Sequence, residues 1–265
     1  MLLRPGRLSL DELQAIHASG HTLMPAPRAG LARPAPQGSS NEVAQPLSLE
    51  IDPQALPAIR ASAAVVRRAA EGSEPVYGVN TGFGKLASTR IGERDLATLQ
   101  LNLIRSHSVG VGEPLAPAVL RLMLATKAAS LARGASGVRP EVIANLLQVF
   151  NAGLVPCVPS QGSVGASGDL APLAHMTLAL IGEGEFLVDG EVAAARRRPA
   201  AEVLREAGIA PLRLQAKEGL ALINGTQTCN ALALHALLSF EPVLESALVI
   251  GALTCLLYTS PSPRD

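Results

Sequence analysis

Apolar side chains recur at helical spacing over most of the chain, and the strongest such stretches predict core helices. Residues 115–133 form one of them. Residues 140–152 form another, with Pro140 at the first turn and Gly153 just past the end, the residues that start and stop a helix. A third runs from Asp169, an N-cap residue type, through Leu170, Leu173, Leu178 and Ile181 to a stop at Gly182. Glu185–Val188 and residues 191–194 flank Asp189-Gly190, the signature of a two-residue hairpin turn, so a small peripheral β element is expected between the helices. The longest apolar run, residues 247–257, is shorter than the ~20 residues a membrane-spanning helix needs and reads as a buried core helix. The expected fold class is mainly α.

The pattern breaks in two places. Residues 24–48 are rich in Pro, Ala, Gly and Ser and predict a flexible excursion. Residues 255–265 end Ser-Pro-Ser-Pro-Arg-Asp directly after an uncapped apolar helix, and read as an abrupt, non-native tail on a truncated chain. The organisation expected is an N-terminal segment over 1–23, the excursion over 24–48, a globular part over 49–214, the start of a long-helix bundle over 215–254, and the tail over 255–265. No internal repeat of solenoid or propeller period is present.

Composition narrows the function classes. At 265 residues the chain can bury a sizeable core, and with 48% hydrophobic but 2% aromatic residues that core must be built from Ala, Leu, Val and Ile. Lys plus Arg number 22 and Asp plus Glu 22, so there is no general field to draw nucleic acid or anionic lipid; a small ligand is expected, with no nucleic acid and no membrane as partner. Cys157, Cys229 and Cys255 form no C-x-x-C pair, which argues against zinc and against a disulfide framework and favours a reducing cytoplasm. Arg4, Pro5 and Arg7 interrupt what a secretory signal would need to be apolar.

The chemistry concentrates in one run, Gly162-Ser163-Val164-Gly165-Ala166-Ser167-Gly168-Asp169-Leu170-Ala171-Pro172-Leu173. It is not a nucleophile elbow, because the glycines flank Ser167 at the wrong offsets. Ala-Ser-Gly can instead cyclise. The Gly168 nitrogen attacks the Ala166 carbonyl, and loss of water from the ring and from Ser167 leaves a methylidene-imidazolone, a strong electrophile. Ser167 supplies the exocyclic carbon, Gly168 an unhindered nitrogen on a permissive backbone, and Ala166 an uncrowded ring. The same tripeptide recurs as Ala135-Ser136-Gly137, where it reads as a helix-to-helix turn. Only the second copy has Gly162 and Gly165 before it and Asp169 opening a helix after it, whose aligned amides would stabilise charge on the ring.

Four blocks in order, Tyr77-Gly78-Val79-Asn80-Thr81-Gly82-Phe83-Gly84, Ser106-His107, residues 162–173, and Lys217-Glu218-Gly219-Leu220-Ala221-Leu222-Ile223-Asn224-Gly225-Thr226-Gln227, resemble those of the aromatic amino acid ammonia-lyases. Ser106-His107 is most similar to the histidine-specific branch. The resemblance implies a helical ammonia-lyase fold, elimination of ammonia from L-histidine to give trans-urocanate, and a homotetramer when the chain is complete. It also implies a self-formed cofactor, 4-methylideneimidazol-5-one (MIO), from Ala166, Ser167 and Gly168, with no external cofactor and no metal. It assigns Tyr77 to the β-proton of the substrate, and His107 and Asn224 to substrate contacts. Family residues expected further along are absent, so the chain alone is expected to be inactive. The alternatives are a phenylalanine or tyrosine ammonia-lyase or aminomutase, and, from another class, an inactive assembly fragment.

A tyrosine base must ionise, and lowering its pKa from ~10 to ~8 needs roughly 2.7 kcal/mol, more than the ~0.3–1 kcal/mol of one helix end. Several converging helix ends, or an additional cation, are therefore expected around Tyr77. Other candidates are weaker. Residues 78–85 miss a P-loop at Val79 and Leu86. His17 and His21 lack a third metal ligand. Arg196, Arg197 and Arg198 read as a solvated loop, and His175 and His235 as satisfied core residues.

Overall fold

The computed structural model describes residues 1–20, 47–165, 167–188 and 196–259. Most of the excursion over 24–48, together with His21, Ala166, the Asp189-Gly190 turn and residues 260–265, lies outside them.

The predicted helices form where the capping residues place them. Helix α4 spans Pro117–Leu131 and α5 spans Pro140–Asn151, each with proline in its first turn. Helix α6, Leu170–Leu180, is stopped at Gly182, whose φ of 85° a side chain would resist. α4 is apolar nearly all round and so becomes the central helix, buried along almost its full length. Against it pack α1 (Leu10–Ala18), α5 and α9 (Gln227–Thr259), while α6 packs on α3 (Glu93–His107) and on α8 (Glu218–Ile223). Helices α2 (Leu56–Glu71) and α7 (Ala200–Glu206) lie at the edges. The fold is mainly α, as its periodicity predicts.

The strands are short. β1 (Leu2–Leu3) and β2 (Glu50–Ile51) pair in parallel, and the antiparallel pair β3 (Val111–Pro114) and β5 (Pro159–Gln161) lies beside the chemistry-bearing loop. A three-stranded sheet orders β4 (Val155–Pro156), β6 (Glu185–Val188) and β7 (Arg196–Pro199).

Three expectations are corrected. The partner of Glu185–Val188 is Arg196–Pro199, with Val188 opposite Arg196, while residues 191–194, where that partner was expected, lie outside the described residues. The arginine run is therefore strand rather than solvated loop, and Arg198 is bonded to Glu206 at 2.6 Å and Glu202 at 3.3 Å. Third, the apolar run at 247–257 is part of a 33-residue helix, and it is not buried: Leu248, Val249, Ile250, Leu253, Leu256 and Leu257 all face solvent. By length and composition that helix could cross a membrane. Cys255 to Thr259 continue it without a break.

Candidate active site

Ser167 and Gly168 sit between β5 and the N-terminus of α6, with Ser167 exposed and Gly168 buried. Gly168 has φ of 111°, and a Cβ there would stand 2.7 Å from the Gly225 carbonyl oxygen and 2.8 Å from its nitrogen. Only glycine fits this seat. The Asp169 amide donates to the same Gly225 carbonyl at 2.8 Å, so the α8–α9 turn is the backstop of the Ser167-Gly168 segment. Gly162 touches Gly110 in the same way, a Cβ there lying 3.0 Å from the Gly110 Cα. The segment is thus held at both ends by backbone, with Ser167 left open to solvent. This close-packed, glycine-only cradle under an exposed serine fits a ring closed between residues 166 and 168.

Asp169 occupies the N-cap of α6 but its carboxylate makes no capping bond. It accepts instead from Ser163 Oγ, the Cys229 amide and the Cys229 thiol, each at 2.8 Å. Burial alone would raise the Asp169 carboxyl, but the bonds from Cys229, Ser163 and the Thr228 amide outweigh it and hold the group below the usual carboxylate range. In return, the Asp169 bond raises the Cys229 thiol.

Tyr77 is 60% exposed, which excludes a role as core filler, and its ring meets Phe83 edge-on at 6.1 Å. Its turn is built by buried Asn80, which accepts from the Val76 amide and donates to the Ala69 and Glu74 carbonyls. Next to Tyr77, Gly78 leaves room for Leu220 of α8, whose Cδ2 a Cβ would meet at 2.5 Å. Asn224, exposed at the end of that helix, donates from Nδ2 to the Leu220 carbonyl at 3.2 Å. α8 therefore connects the Tyr77 turn to the seat of Gly168.

His107 ends α3, half-buried, with Nδ1 2.8 Å from the Leu103 carbonyl. A carbonyl can only accept, so Nδ1 carries a hydrogen, and the acceptor available in the corresponding neutral tautomer is Nε2. Three residues on, the Gly110 amide donates to His175 Nε2 at 3.0 Å, beside Gly162. Among the described residues no hydrogen bond joins Tyr77, His107 and Ser167 to one another; they are related through α8, Gly110 and Gly162. A cleft of about 710 Å³ elsewhere, walled by Arg60, Arg67, Glu71 and Glu93, is lined by none of the candidate residues.

The first Ala-Ser-Gly copy is a turn between α4 and α5, as expected. Lys217, left-handed at φ of 67°, donates to the Ser136 carbonyl at 2.9 Å, and buried Glu218 accepts from Arg139 Nε at 2.8 Å. His17 bonds His235 at 2.7 Å.

Sequence reasoning passed over Lys127. It is 1% exposed in the middle of α4, and its ammonium reaches the Asn224 carbonyl at 2.6 Å. The one signal was a lysine on a mostly apolar helix whose other charged residue is Arg121.

Residues 39–262 match the model of a family described as aromatic amino acid lyase. The chain is 50% identical over 252 residues to histidine ammonia-lyase of Aromatoleum aromaticum, covering 95% of this chain and 42% of that protein. Among solved structures it resembles histidine ammonia-lyase of Trypanosoma cruzi, at 40% identity and a TM-score of 0.72, over 89% of this chain and 40% of that one. A tyrosine aminomutase from Streptomyces globisporus is similar at 32% identity and a TM-score of 0.72, over 88% and 38%. The chain thus spans about two-fifths of the relatives it matches. With the family model covering most of its length, the chain belongs to the aromatic amino acid lyases.

Proposed function

We propose that the complete protein is a histidine ammonia-lyase, releasing ammonia from L-histidine to leave trans-urocanate. The observation that carries this reading is Gly168 seated on Gly225 beneath an exposed Ser167, in a chain half identical to a histidine ammonia-lyase. In the cyclisation, the Gly168 nitrogen bonds to the Ala166 carbonyl carbon. The Ala166 oxygen leaves as water with the hydrogens of the Gly168 and Ser167 nitrogens. A second water takes the Ser167 hydroxyl and its Cα hydrogen. Once formed, the MIO group offers an electrophilic methylene carbon to the substrate.

The remaining roles belong to side chains. Tyr77 removes the β-proton as the amino group departs, and its exposure leaves the hydroxyl reachable by substrate. His107 presents Nε2, an acceptor for the N–H of a substrate imidazole. Asn224 contributes its side-chain amide from the turn that carries Gly225. The subunits assemble as a homotetramer, and the free Cys157, Cys229 and Cys255 suit a reducing cytoplasm.

The similarity to a tyrosine aminomutase favours one second reading, a lyase or mutase for phenylalanine or tyrosine on the same electrophile. Substrate profiling separates the two. For the electrophile itself, Ser167→Ala in the full-length protein should abolish the two-water mass loss and nearly all turnover, while Ser136→Ala should be mild. Equal losses in two folded variants would refute the assignment.

A further inference from the structure

A lysine buried in an apolar helix is costly unless its ammonium finds partners. Lys127 lies between Leu124 and Leu131 on α4 and is 1% exposed. Its Nζ donates to the Asn224 carbonyl at 2.6 Å and stands 3.5 Å from Gln227 Oε1. Asn224 begins the α8–α9 turn and Gln227 opens α9. Burial pushes the ammonium down to about 7, while the negative charge of Asp169 works to raise it.

The turn is thereby gripped from two sides. Lys127 holds its start at Asn224, and just beyond its far end the Asp169 carboxylate holds the first turn of α9 at the Cys229 amide, 2.8 Å away. Between these grips lies Gly225, which accepts from the Asp169 amide and leaves Gly168 no room for a side chain. A methionine at 127 would fill much the same volume without the cost of burying a charge. The cation is therefore explained by what it holds rather than by packing.

We propose that Lys127 is a positioning residue for electrophile formation: by fixing Asn224 and Gly225 it keeps the Gly168 backbone in the conformation that closure onto Ala166 requires. This rests on the electrophile reading above, and the same experiment tells the two apart. The full-length protein is synthesised in a cell-free system and the loss of two waters is followed over time by intact mass. Ser167→Ala gives the zero, and Leu146→Ala, a core truncation on α5, is a control for lost stability alone. If the unsubstituted protein loses no water, the electrophile reading fails. If it does, Lys127→Met should slow the loss by about 10- to 100-fold, the equivalent of one hydrogen bond to a charged group. Lys127→Arg keeps the charge on a planar head that cannot occupy the same seat, and should fall between the two. Lys127→Met maturing as fast as the unsubstituted protein, or no slower than Leu146→Ala at matched melting temperature, overturns the proposal. Should Lys127→Met not fold, Lys127→Arg decides, and maturation of that variant at the unsubstituted rate overturns it.

Discussion

The single residues of the site divide by how they announce themselves. Tyr77, His107 and Asn224 stand in short blocks whose order and residue types resemble a family, and such blocks survive reading without coordinates. Lys127 does not, because its meaning lies in the carbonyl it reaches, 97 positions along the chain. Nor did the sequence show that Asp169, at a helix start, would turn its carboxylate to Cys229 rather than to its own helix. The residues that can be read make separable demands. Tyr77→Phe in the full-length enzyme removes the ionisable oxygen and keeps the ring, so kcat should fall by roughly 10²–10⁴ while the electrophile absorbance survives. His107→Leu removes the Nε2 acceptor, so it should weaken histidine relative to phenylalanine by about 1–3 kcal/mol. Measuring kcat/KM for both amino acids in both variants checks this. An unchanged ratio in His107→Leu would take that residue out of the specificity site.

At the scale of elements, α4 was legible from its apolar spacing, and α5 and α6 also from ends that carry their own chemistry: Pro140 opens α5, and Gly182 follows α6. The second strand of the 185–199 pair was not. Three consecutive arginines show no alternation, and their strand holds through Arg198 meeting Glu202 and Glu206, which belong to the next helix. The loop beside Ser167 depends on similar cross-element bonds, among them Gly110 N–H to His175 Nε2, which requires that nitrogen unprotonated. Burial lowers the His175 pKa from its ordinary value near 6.5, so in acid the unfolded chain takes up a proton that the folded chain resists. The stability tied to His175 is therefore complete above about pH 6.5 and declines as the pH falls through the lowered value. Protonation at the end of that decline removes an acceptor worth about 1 kcal/mol. His175→Gln, whose oxygen accepts without titrating, should flatten the fall in melting temperature below pH 6.5. Parallel curves for the two proteins would show that this contact does not govern the acid limb.

At the scale of the whole molecule, the periodicity of α9 foretold a helix but not its surroundings. Over residues 247–257 its surface is almost wholly apolar, and such a stretch is covered either by protein or by lipid. Its base packs on α4, whereas Val243, Leu244 and the residues from Leu248 to Leu257 project from the body of the chain. Glu241, Pro242 and Glu245 interrupt the stretch, a pattern better suited to protein partners than to a hydrocarbon core, where charges are expensive and rare. Because the chain spans about two-fifths of its relatives, we expect that cover from the remainder of the subunit and, in the assembly proposed above, from neighbouring subunits. Produced alone, the chain should then associate in proportion to concentration, bind a hydrophobic dye, and yield no urocanate. Replacing Leu248, Leu253 and Leu256 together by glutamate should return it towards monomer while leaving its far-ultraviolet circular dichroism unchanged, since none of the three is buried. Sedimentation velocity over a hundred-fold range of concentration, with and without phosphatidylcholine vesicles, provides the check. A chain that stays monomeric throughout and partitions into the vesicles would reassign α9 from a bundle helix to a membrane helix.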